Sequence, residues 1–367
     1  MAVTLAVMYK ILFLIMVCGY SAGAQTPAVI DTIVAKLLDR DNFSGTVLVA
    51  KNGSVVYSRT AGFSDRSQQQ PFSSQTPSSI ASVGKMFTAV IAMRLVERGK
   101  LNLSKHIADY LPGTKIHNAG KITISQLLNH TSGLGNYMAH SRYAEVAKSA
   151  VSSDAFIPLI EEMPAPRLQP GSQYEYSNTG YIILGEILEK ITGGTYEDIV
   201  RKYVARPCGM EKLNYKIDRA AFGINAKGYI RKEGNKEWTS TEPAVPFPAA
   251  DGGVYTTALD LFRFDQALYS KTMINEGSVK AMRENLVDAV LPGVGKMKYG
   301  YGLMRFDYNK GVYSLGHNGG FPGYACEYKH FFFPDKTEYT LIILANYDRV
   351  VRPVLFEIQQ LILQRKI

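Results

Sequence analysis

The strongest β-strand signals of this chain lie at its two ends, and helical signals fill the middle. Near the N-terminus, "FSGTVLVAKNGSVVYSRTAGFSD" contains two β-rich runs joined by Asn52 and Gly53, a pair that favours a type I′ hairpin. Near the C-terminus, strand signals recur in "GVYSLGHNGG", "GYACEYKHFFFP" and "TEYTLIILANY". This arrangement predicts an α+β fold in which both chain ends build one antiparallel sheet.

Helical spacing of apolar residues characterises the segments between these ends. It recurs in "KMFTAVIAMRLVERG", "ITISQLLNHTSG", "TGYIILGEILEKITGG" and "TALDLFRFDQALYS". Two further helices, at about 27–39 and 351–364, are predicted to flank the sheet. We therefore expect a sheet from about 40–62 and 300–347, with a mostly helical region at about 82–275 inserted between them. The sequence has neither repeats nor a low-complexity linker, so residues 25–367 are predicted to form a single domain.

The first 24 residues are predicted to be a secretory signal peptide. Lys10 precedes the apolar run "ILFLIMVC", and the small residues 22–24 form a cleavage signature. The apolar run is too short to span a bilayer. Cleavage near Ala24 would release a secreted or periplasmic protein. Since the rest of the sequence contains no apolar run long enough to cross a membrane, no stable membrane span is expected.

Two other interpretations of the leader are less favoured. "GYSAG" fits the G-x-S-x-G pattern of a nucleophile elbow, but Ser21 would be removed with the leader. Cys18 is a candidate for lipid attachment, yet Val17 precedes it where such sites usually carry a small residue. A lipoprotein is therefore not expected.

Composition excludes several classes of function. The net charge is +9, but the basic residues are scattered, which argues against a nucleic-acid partner. Six histidines are dispersed without His-x-x-x-His or Cys-x-x-Cys spacing, so no metal is expected. The sequence also lacks a Walker loop and a dinucleotide-binding glycine fingerprint, so no other cofactor is expected. Cys208 and Cys326 remain after the leader, and the sequence leaves open whether they form a disulfide. Catalysis, if present, must use side chains.

The best candidate nucleophile is Ser82, at the start of the almost wholly apolar segment 86–96. A serine at this place can simply cap a helix. Lys85 follows three residues later, on the same helical face, where its amine can reach the hydroxyl. A serine hydroxyl needs a nearby base to act as a nucleophile, and burial can lower the pKa of a lysine enough for it to serve.

Two further elements carry polar groups at the ends of predicted secondary structure. Tyr176 and Asn178 follow a Pro-Gly turn and precede a helix, where Asn178 can cap the helix and Tyr176 can pack. The segment His317-Asn318-Gly319-Gly320 ends a predicted strand and can be a glycine-rich turn. Each element has a structural explanation when taken separately.

The order of the three elements resembles that of a known family. Ser-x-x-Lys, then Tyr-x-Asn, then His-x-Gly near the C-terminus is similar to the serine hydrolases of the β-lactamase and penicillin-binding-protein superfamily. The segments "SGTVLVAKNG", "LLNHTSGL", "YSNTGYIILGEILEKITG", "PCGM" and "DGGVYTTALDLFRF" narrow the resemblance. They resemble the branch of class C β-lactamases, D-alanyl-D-alanine carboxypeptidases and related esterases, over residues 30 to 350. The resemblance implies a β-lactamase/transpeptidase-like fold.

The resemblance also implies roles for these residues. Ser82 would be the acylated nucleophile and Lys85 its activating neighbour. Tyr176 would act as general base or proton shuttle, with a pKa lowered by the adjacent amine. Asn178 would bind the substrate amide or Lys85. The backbone N–H groups of Ser82 and Gly320 would form the oxyanion hole.

His317, Asn318 and Gly319 would border the substrate, and the first two depart from the β-lactamase pattern. A lysine at the position of His317 supplies a permanent positive charge in β-lactamases, whereas a histidine with an ordinary pKa is mostly neutral at pH 7. We expect His317 to gain charge below that pKa and then to favour substrates that carry a carboxylate. Asn318 replaces a hydroxyl residue.

These roles predict an exported serine hydrolase that forms an acyl-enzyme with an ester, an amide or a D-amino-acid peptide. A class C-type β-lactamase or a D-alanyl-D-alanine carboxypeptidase is the alternative, acting on a cell-wall peptide or a β-lactam. A non-catalytic peptidoglycan- or β-lactam-binding protein on the same fold is a third possibility. The loop Asn136-Tyr137-Met138 is expected to line the cleft, while His130 and Ser132 are expected to fix a turn.

Overall fold

The computed structural model describes residues 25–150, 152–215, 225–231, 237–241 and 249–367. The predicted signal peptide, residues 1–24, lies outside the described residues, as do Cys18 and Ser21. Within the described part of the chain, no helix is both long enough and apolar enough to cross a bilayer.

The strands are short in the middle of the chain and long at its ends. In chain order they are β1 (Gly45–Lys51), β2 (Ser54–Ala61), β3 (Phe63–Asp65), β4 (Gln70–Pro71), β5 (Ser78–Ser79), β6 (Asn214–Tyr215), β7 (Tyr229–Ile230), β8 (Thr239–Ser240), β9 (Val254–Thr256), β10 (Val287–Leu291), β11 (Gly295–Tyr299), β12 (Met304–Asp307), β13 (Tyr313–Phe321), β14 (Tyr324–Phe332) and β15 (Glu338–Ala345).

The longer helices coincide with the segments of helical spacing in the sequence. In chain order the helices are α1 (Gln25–Leu38), α2 (Lys85–Glu97), α3 (Ile107–Tyr110), α4 (Ile124–Leu128), α5 (Tyr143–Ser149), α6 (Ile157–Glu162), α7 (Asn178–Thr192), α8 (Tyr196–Val200), α9 (Arg206–Cys208), α10 (Ala258–Tyr269), α11 (Glu276–Glu284) and α12 (Val351–Leu363).

The predicted α+β fold is confirmed, because both chain ends meet in one antiparallel sheet. Its strand order is β10-β11-β12-β13-β14-β15-β1-β2, with β1 paired between β15 and β2. Asn52 and Gly53 turn the first hairpin, and both have positive φ, as a type I′ turn requires. The sheet starts earlier than predicted on its C-terminal side, because the hairpin of β10 and β11 adds an edge before residue 300.

Alternating side chains of the central strands separate two hydrophobic cores. Leu48, Ile342 and Leu344 face α2, α7 and α10, whereas Val47 and Ile343 face α1 and α12. Helix α2 is buried from Lys85 to Met93. This burial holds the start of α2 in place between the sheet and the helical region, which fixes the location of the candidate nucleophile.

A buried polar cluster ties α10 to the sheet. The Asp265 carboxylate accepts hydrogen bonds from Tyr328 Oη at 2.5 Å and Thr340 Oγ1 at 2.8 Å, and it lies 2.8 Å from His330 Nδ1. His330 Nε2 lies 3.3 Å from the Glu338 carboxylate. Burial opposes the charge of His330, but the two carboxylates raise its pKa to about 9. His330 and Asp265 are therefore both ionised at neutral pH.

The His330 pKa predicts a stability that falls in alkaline solution. Since the folded pKa is raised from 6.5 to about 9, the stabilisation is complete below pH 6.5 and is lost as pH rises through 9. The full effect is about 3 kcal/mol. Urea unfolding at pH 6 and pH 10 should show this loss in the parent and a much smaller loss in His330→Gln. Equal pH dependence in both proteins would contradict the assignment.

Candidate active site

A tight 3₁₀ turn, Ala81–Gly84, presents Ser82 at the entrance to α2. Ala81, just before it, has a φ of 44°, a left-handed conformation that is uncommon for a residue with a Cβ atom. No side chain caps either the turn or the start of α2. The Ser82 hydroxyl is therefore not used as a helix cap and is left for other partners.

Those partners are Lys85 and Tyr176. Lys85 Nζ lies 3.0 Å from Ser82 Oγ, and the Tyr176 hydroxyl donates to the same oxygen at 2.9 Å. Ser82 itself is only partly buried. The structure thus brings together the three predicted catalytic side chains, with the nucleophile oxygen accessible from the cleft.

Lys85 is 0% exposed, and oxygen atoms from three elements surround its amine. Besides Ser82 Oγ, it donates to Asn178 Oδ1 at 2.8 Å and to the carbonyl oxygen of Asp251 at 2.6 Å. Burial lowers the pKa of Lys85 to about 8, against the opposing effect of the Asp251 carboxylate. About a tenth of Lys85 is then a free amine at pH 7, which is the form that a base for Ser82 requires.

Helix α7 aims Asn178 at Lys85 because a different residue caps the helix. The Ser177 hydroxyl accepts the N–H of Gly180, so Ser177 and not Asn178 is the N-cap. The Asn178 amide is thereby free to bind Lys85 through its oxygen, and its nitrogen lies 3.7 Å from Met138 Sδ. The predicted contact between Asn178 and Lys85 is present.

His130 is a site residue that sequence reasoning treated as part of a turn. Its ring is fully buried, with centroids 4.3 Å from the ring of Tyr176 and 4.7 Å from that of Tyr299. His130 Nδ1 accepts the N–H of Ser177 at 3.1 Å. It therefore positions the segment that carries Tyr176 and Asn178. Ser132 stays within the turn, where its hydroxyl accepts the N–H of Leu134.

The sheet contributes the opposite wall of the cleft through β13. A Cβ atom added to Gly319 would lie 2.2 Å from the Ile80 carbonyl oxygen and 3.1 Å from Ser82 N. Glycine at 319 therefore permits close approach of β13 to the turn that carries the nucleophile. Gly320 and Ser82 line one cavity of about 80 Å³. Its other described lining residues include Tyr137, Met138, Phe156 and Asp251.

The geometry agrees with the comparison with known proteins. Residues 30–363 match the sequence model of the family described as Beta-lactamase. The chain belongs to the Beta-lactamase family. It is therefore a serine hydrolase of the β-lactamase type, with the β-lactamase/transpeptidase-like fold that the sequence predicted.

The individual relatives share 30% or less of their aligned residues with this chain. The chain is 30% identical over 331 residues to Penicillin-binding protein 4* of Bacillus subtilis (strain 168), covering 86% of this chain and 71% of that protein. It is 26% identical over 300 residues to a D-aminopeptidase of Brucella anthropi, covering 78% of this chain and 53% of that protein. The chain thus spans about half the length of this second relative.

Solved structures of the family superpose over most of the chain. A penicillin-binding protein from Bacillus halodurans has a TM-score of 0.75 at 26% identity, covering 90% of this chain and 99% of that one. A D-amino acid amidase from Ochrobactrum anthropi SV3, complexed with D-phenylalanine, has a TM-score of 0.77 at 22% identity, covering 91% and 98%. At that identity the second likeness shows the fold and no more.

His317 lies beside the cleft, but the expectation that it gains charge in mildly acidic solution is wrong. It is 2% exposed; its Nε2 lies 2.9 Å from the Tyr299 hydroxyl and its Nδ1 lies 2.6 Å from the Asn318 carbonyl oxygen. Burial, reinforced by the nearby Lys85, lowers the pKa of His317 to about 3. The imidazole is therefore neutral from pH 5 to pH 8 and supplies no charge to bind a carboxylate.

Asn318 lies on the other face of β13, and this corrects its expected place beside the substrate. Successive residues of a strand point to opposite faces, and the ring of His317 faces Tyr176 and Tyr299. Asn318 instead pairs with Glu327 across β13 and β14, and both line a second cavity of about 120 Å³, which His317 also borders. That cavity lies between the sheet and α12, so the Asn318 side chain points away from Ser82.

Tyr176 also differs from expectation. Its pKa is raised, because burial of its hydroxyl outweighs the hydrogen bond with Ser82. The expected lowering by the adjacent amine is therefore wrong, and the phenol stays protonated at neutral pH. Cys208 and Cys326 are both free thiols, which answers the question that the sequence left open.

The close approach at Gly319 predicts the effect of a single methyl group. Gly319→Ala should push the turn with Ser82 away from β13, whereas a Cβ atom at Gly320 has nothing within 4 Å. We expect Gly319→Ala to lose roughly tenfold more kcat/KM than Gly320→Ala, since overpacking costs about 1–3 kcal/mol. Comparable losses in the two variants, measured on one ester substrate, would contradict the packing argument.

The Lys85 pKa predicts the pH profile of acylation. For a neutral ester, kcat/KM should rise about tenfold per pH unit in acid, because the protonated amine is inactive, and should level off above pH 8. His317 should leave no inflection between pH 5 and pH 8, because its pKa is about 3. Stopped-flow or steady-state rates from pH 5 to pH 10 test this. A flat profile would exclude Lys85 as the titrating base.

Proposed function

We propose that the mature chain is an exported serine hydrolase that forms an acyl-enzyme on Ser82 with an ester, an amide or a D-amino-acid peptide. The observation that carries the proposal is the buried Lys85 amine 3.0 Å from Ser82 Oγ. Export after cleavage near Ala24 belongs to the proposal and rests on the leader composition. N-terminal sequencing of the secreted product tests it, and Gln25 is the expected first residue.

The proposed reaction begins with the neutral amine of Lys85. Lys85 takes the proton of Ser82 as Oγ attacks the carbonyl carbon, and the carbonyl oxygen becomes an oxyanion. The backbone N–H groups of Ser82 and Gly320 would stabilise that charge, and both residues line the same cavity. These fixed donors do not have to reorganise when the charge develops.

Collapse of the tetrahedral intermediate completes acylation. The carbon–leaving-group bond breaks, and the proton held by Lys85 reaches the leaving atom, with Tyr176 as a hydroxyl relay. Because the Tyr176 pKa is raised, the phenol donates and accepts in concert and is not a resident tyrosinate. Water then attacks the acyl carbon and gives a proton to the same pair. The bond between that carbon and Ser82 Oγ breaks, the pair returns the proton to Oγ, and the acid is released.

Because His317 is neutral, it does not supply a positive charge that would bind a substrate carboxylate. Of the described residues that line the cavity beside Ser82, none is lysine, arginine or histidine. A class C-type β-lactamase or a D-alanyl-D-alanine carboxypeptidase acts on substrates that carry a carboxylate. The 30% identity to Penicillin-binding protein 4* supports this alternative. The described charges support a substrate that is neutral or cationic near the scissile bond.

Replacement of the nucleophile tests the proposal directly. Ser82→Ala should lower the turnover of a short-chain p-nitrophenyl ester by roughly 10⁴-fold or more, without a change in the unfolding midpoint. Ser132→Ala is the matched control and should keep most of the activity, since Ser132 bonds only within its turn among the described contacts. Intact-mass analysis should find the acyl adduct in the parent. Activity that survives Ser82→Ala and is lost in Ser132→Ala would overturn the assignment.

A further inference from the structure

The Asp251 carboxylate borders the cleft and has no part in the acyl transfer described above. Its main-chain carbonyl binds Lys85, and Asp251 is also one of the residues that line the cavity containing Ser82. Asp251 is 6% exposed, and its Oδ2 accepts a hydrogen bond from the Tyr137 hydroxyl at 3.2 Å. It is the one charged side chain among the described residues that line this cavity.

A carboxylate in this position is costly unless a cation accompanies it. Burial raises the pKa of Asp251, while the positive charge of Lys85 lowers it. Lys85 must be neutral when it takes the proton of Ser82, so it cannot also be the permanent counter-ion of Asp251. While Lys85 is the free amine, before it takes the proton of Ser82, the described part of the site therefore offers no cation to this carboxylate.

Asp251 and Tyr176 occupy different parts of the site, because Asp251 lines the cavity beside Ser82, whereas Tyr176 and His317 are not among its described lining residues. Tyr176, which relays the proton to the leaving group, is adjacent to His317, with ring centroids 6.4 Å apart. Asn178 and Asp251 instead approach Lys85 through two other oxygen contacts. A leaving group directed toward Tyr176 places the acyl portion of the substrate beside Asp251.

Aromatic rings surround the same part of the cleft. The ring of Tyr137 lies 5.1 Å from that of Phe156 and 5.5 Å from that of Tyr143, and Phe321 lines the cavity from the sheet side. A carboxylate among aromatic faces is suited to an organic ammonium group, because both the charge and the ring quadrupoles attract a cation.

We propose that Asp251 binds a primary ammonium group on the acyl portion of the substrate, next to the scissile carbonyl. This makes the enzyme selective for amides or esters of amino acids with a free α-amine over their N-acylated counterparts. The inference rests on the proposed acyl-transfer function of Ser82. An ammonium group beside Asp251 also offsets the effect of its carboxylate on Lys85, which favours the free amine that acylation needs.

The test compares matched pairs of substrates. Alanine p-nitroanilide and N-acetyl-alanine p-nitroanilide, each as the D- and L-enantiomer, are assayed with the parent, Asp251→Asn and Asp154→Asn. Asparagine preserves the size of Asp251 and can still accept from Tyr137. Asp154 is exposed and does not line the cavity, so Asp154→Asn removes an equal charge nearby as the control.

We expect the parent to prefer the free-amine substrate of at least one enantiomer. Asp251→Asn should lower the ratio of kcat/KM for free-amine over acetylated substrate by about 10- to 100-fold, the value of a buried charge-assisted hydrogen bond. Asp154→Asn should keep the parent ratio. A structural role of Asp251 would lower both rates together and leave the ratio unchanged, which would overturn the proposal.

If Asp251→Asn does not fold, two measurements on the parent protein still test whether the site binds an ammonium group. Alaninamide and N-acetyl-alaninamide are compared as inhibitors of p-nitrophenyl acetate turnover, and the free amine should bind more tightly. Equal inhibition together with equal hydrolysis of both substrate types would overturn the ammonium site, while Ser82-dependent ester turnover would still support the proposed function. Ester turnover that survives Ser82→Ala would overturn both.

Discussion

Burial of the Lys85 amine is the constraint on which the rest of the site depends. An amine without access to water must find oxygen acceptors within the protein, and three separate parts of the chain supply them. The turn before α2, the first residue of α7 and the loop before β9 must therefore all meet at one point. The same desolvation brings the pKa of the amine near neutrality, so one physical cause both organises the site and activates it.

Histidine at position 317 shows how burial can change the chemistry of a family motif without a change of fold. The ring keeps its place beside Tyr176, yet its burial and the nearby Lys85 lower its pKa and hold it neutral. Among the described residues that line the cavity beside Ser82, the one charged residue is then Asp251. The electrostatic character of the cleft is thus set by residues outside the three motifs that define the nucleophile.

Much of this arrangement could be predicted from the sequence, because apolar periodicity and turn residues fix local structure. The hairpin at Asn52-Gly53, the terminal strands and the pairing of Ser82 with Lys85 followed from such signals. The grouping of that pair with Tyr176 and Asn178 came from the resemblance to a known family. The contact between Lys85 and the Asp251 backbone could not be predicted, since every residue has a carbonyl. The side on which Asn318 lies was predictable from strand alternation, whereas the neutral state of His317 depends on burial, which a sequence does not display.

The position of β1 between β2 and β15 has a consequence for how the protein acquires its structure. Gly45 pairs with Ala345, so a strand near the start of the chain must wait for one of the last strands to be synthesised. Both hydrophobic cores draw on β15, and one also needs α12. Such distant pairing slows folding, because a long loop must close before the contacts form. A chain built this way cannot complete its central sheet before β15 has been synthesised.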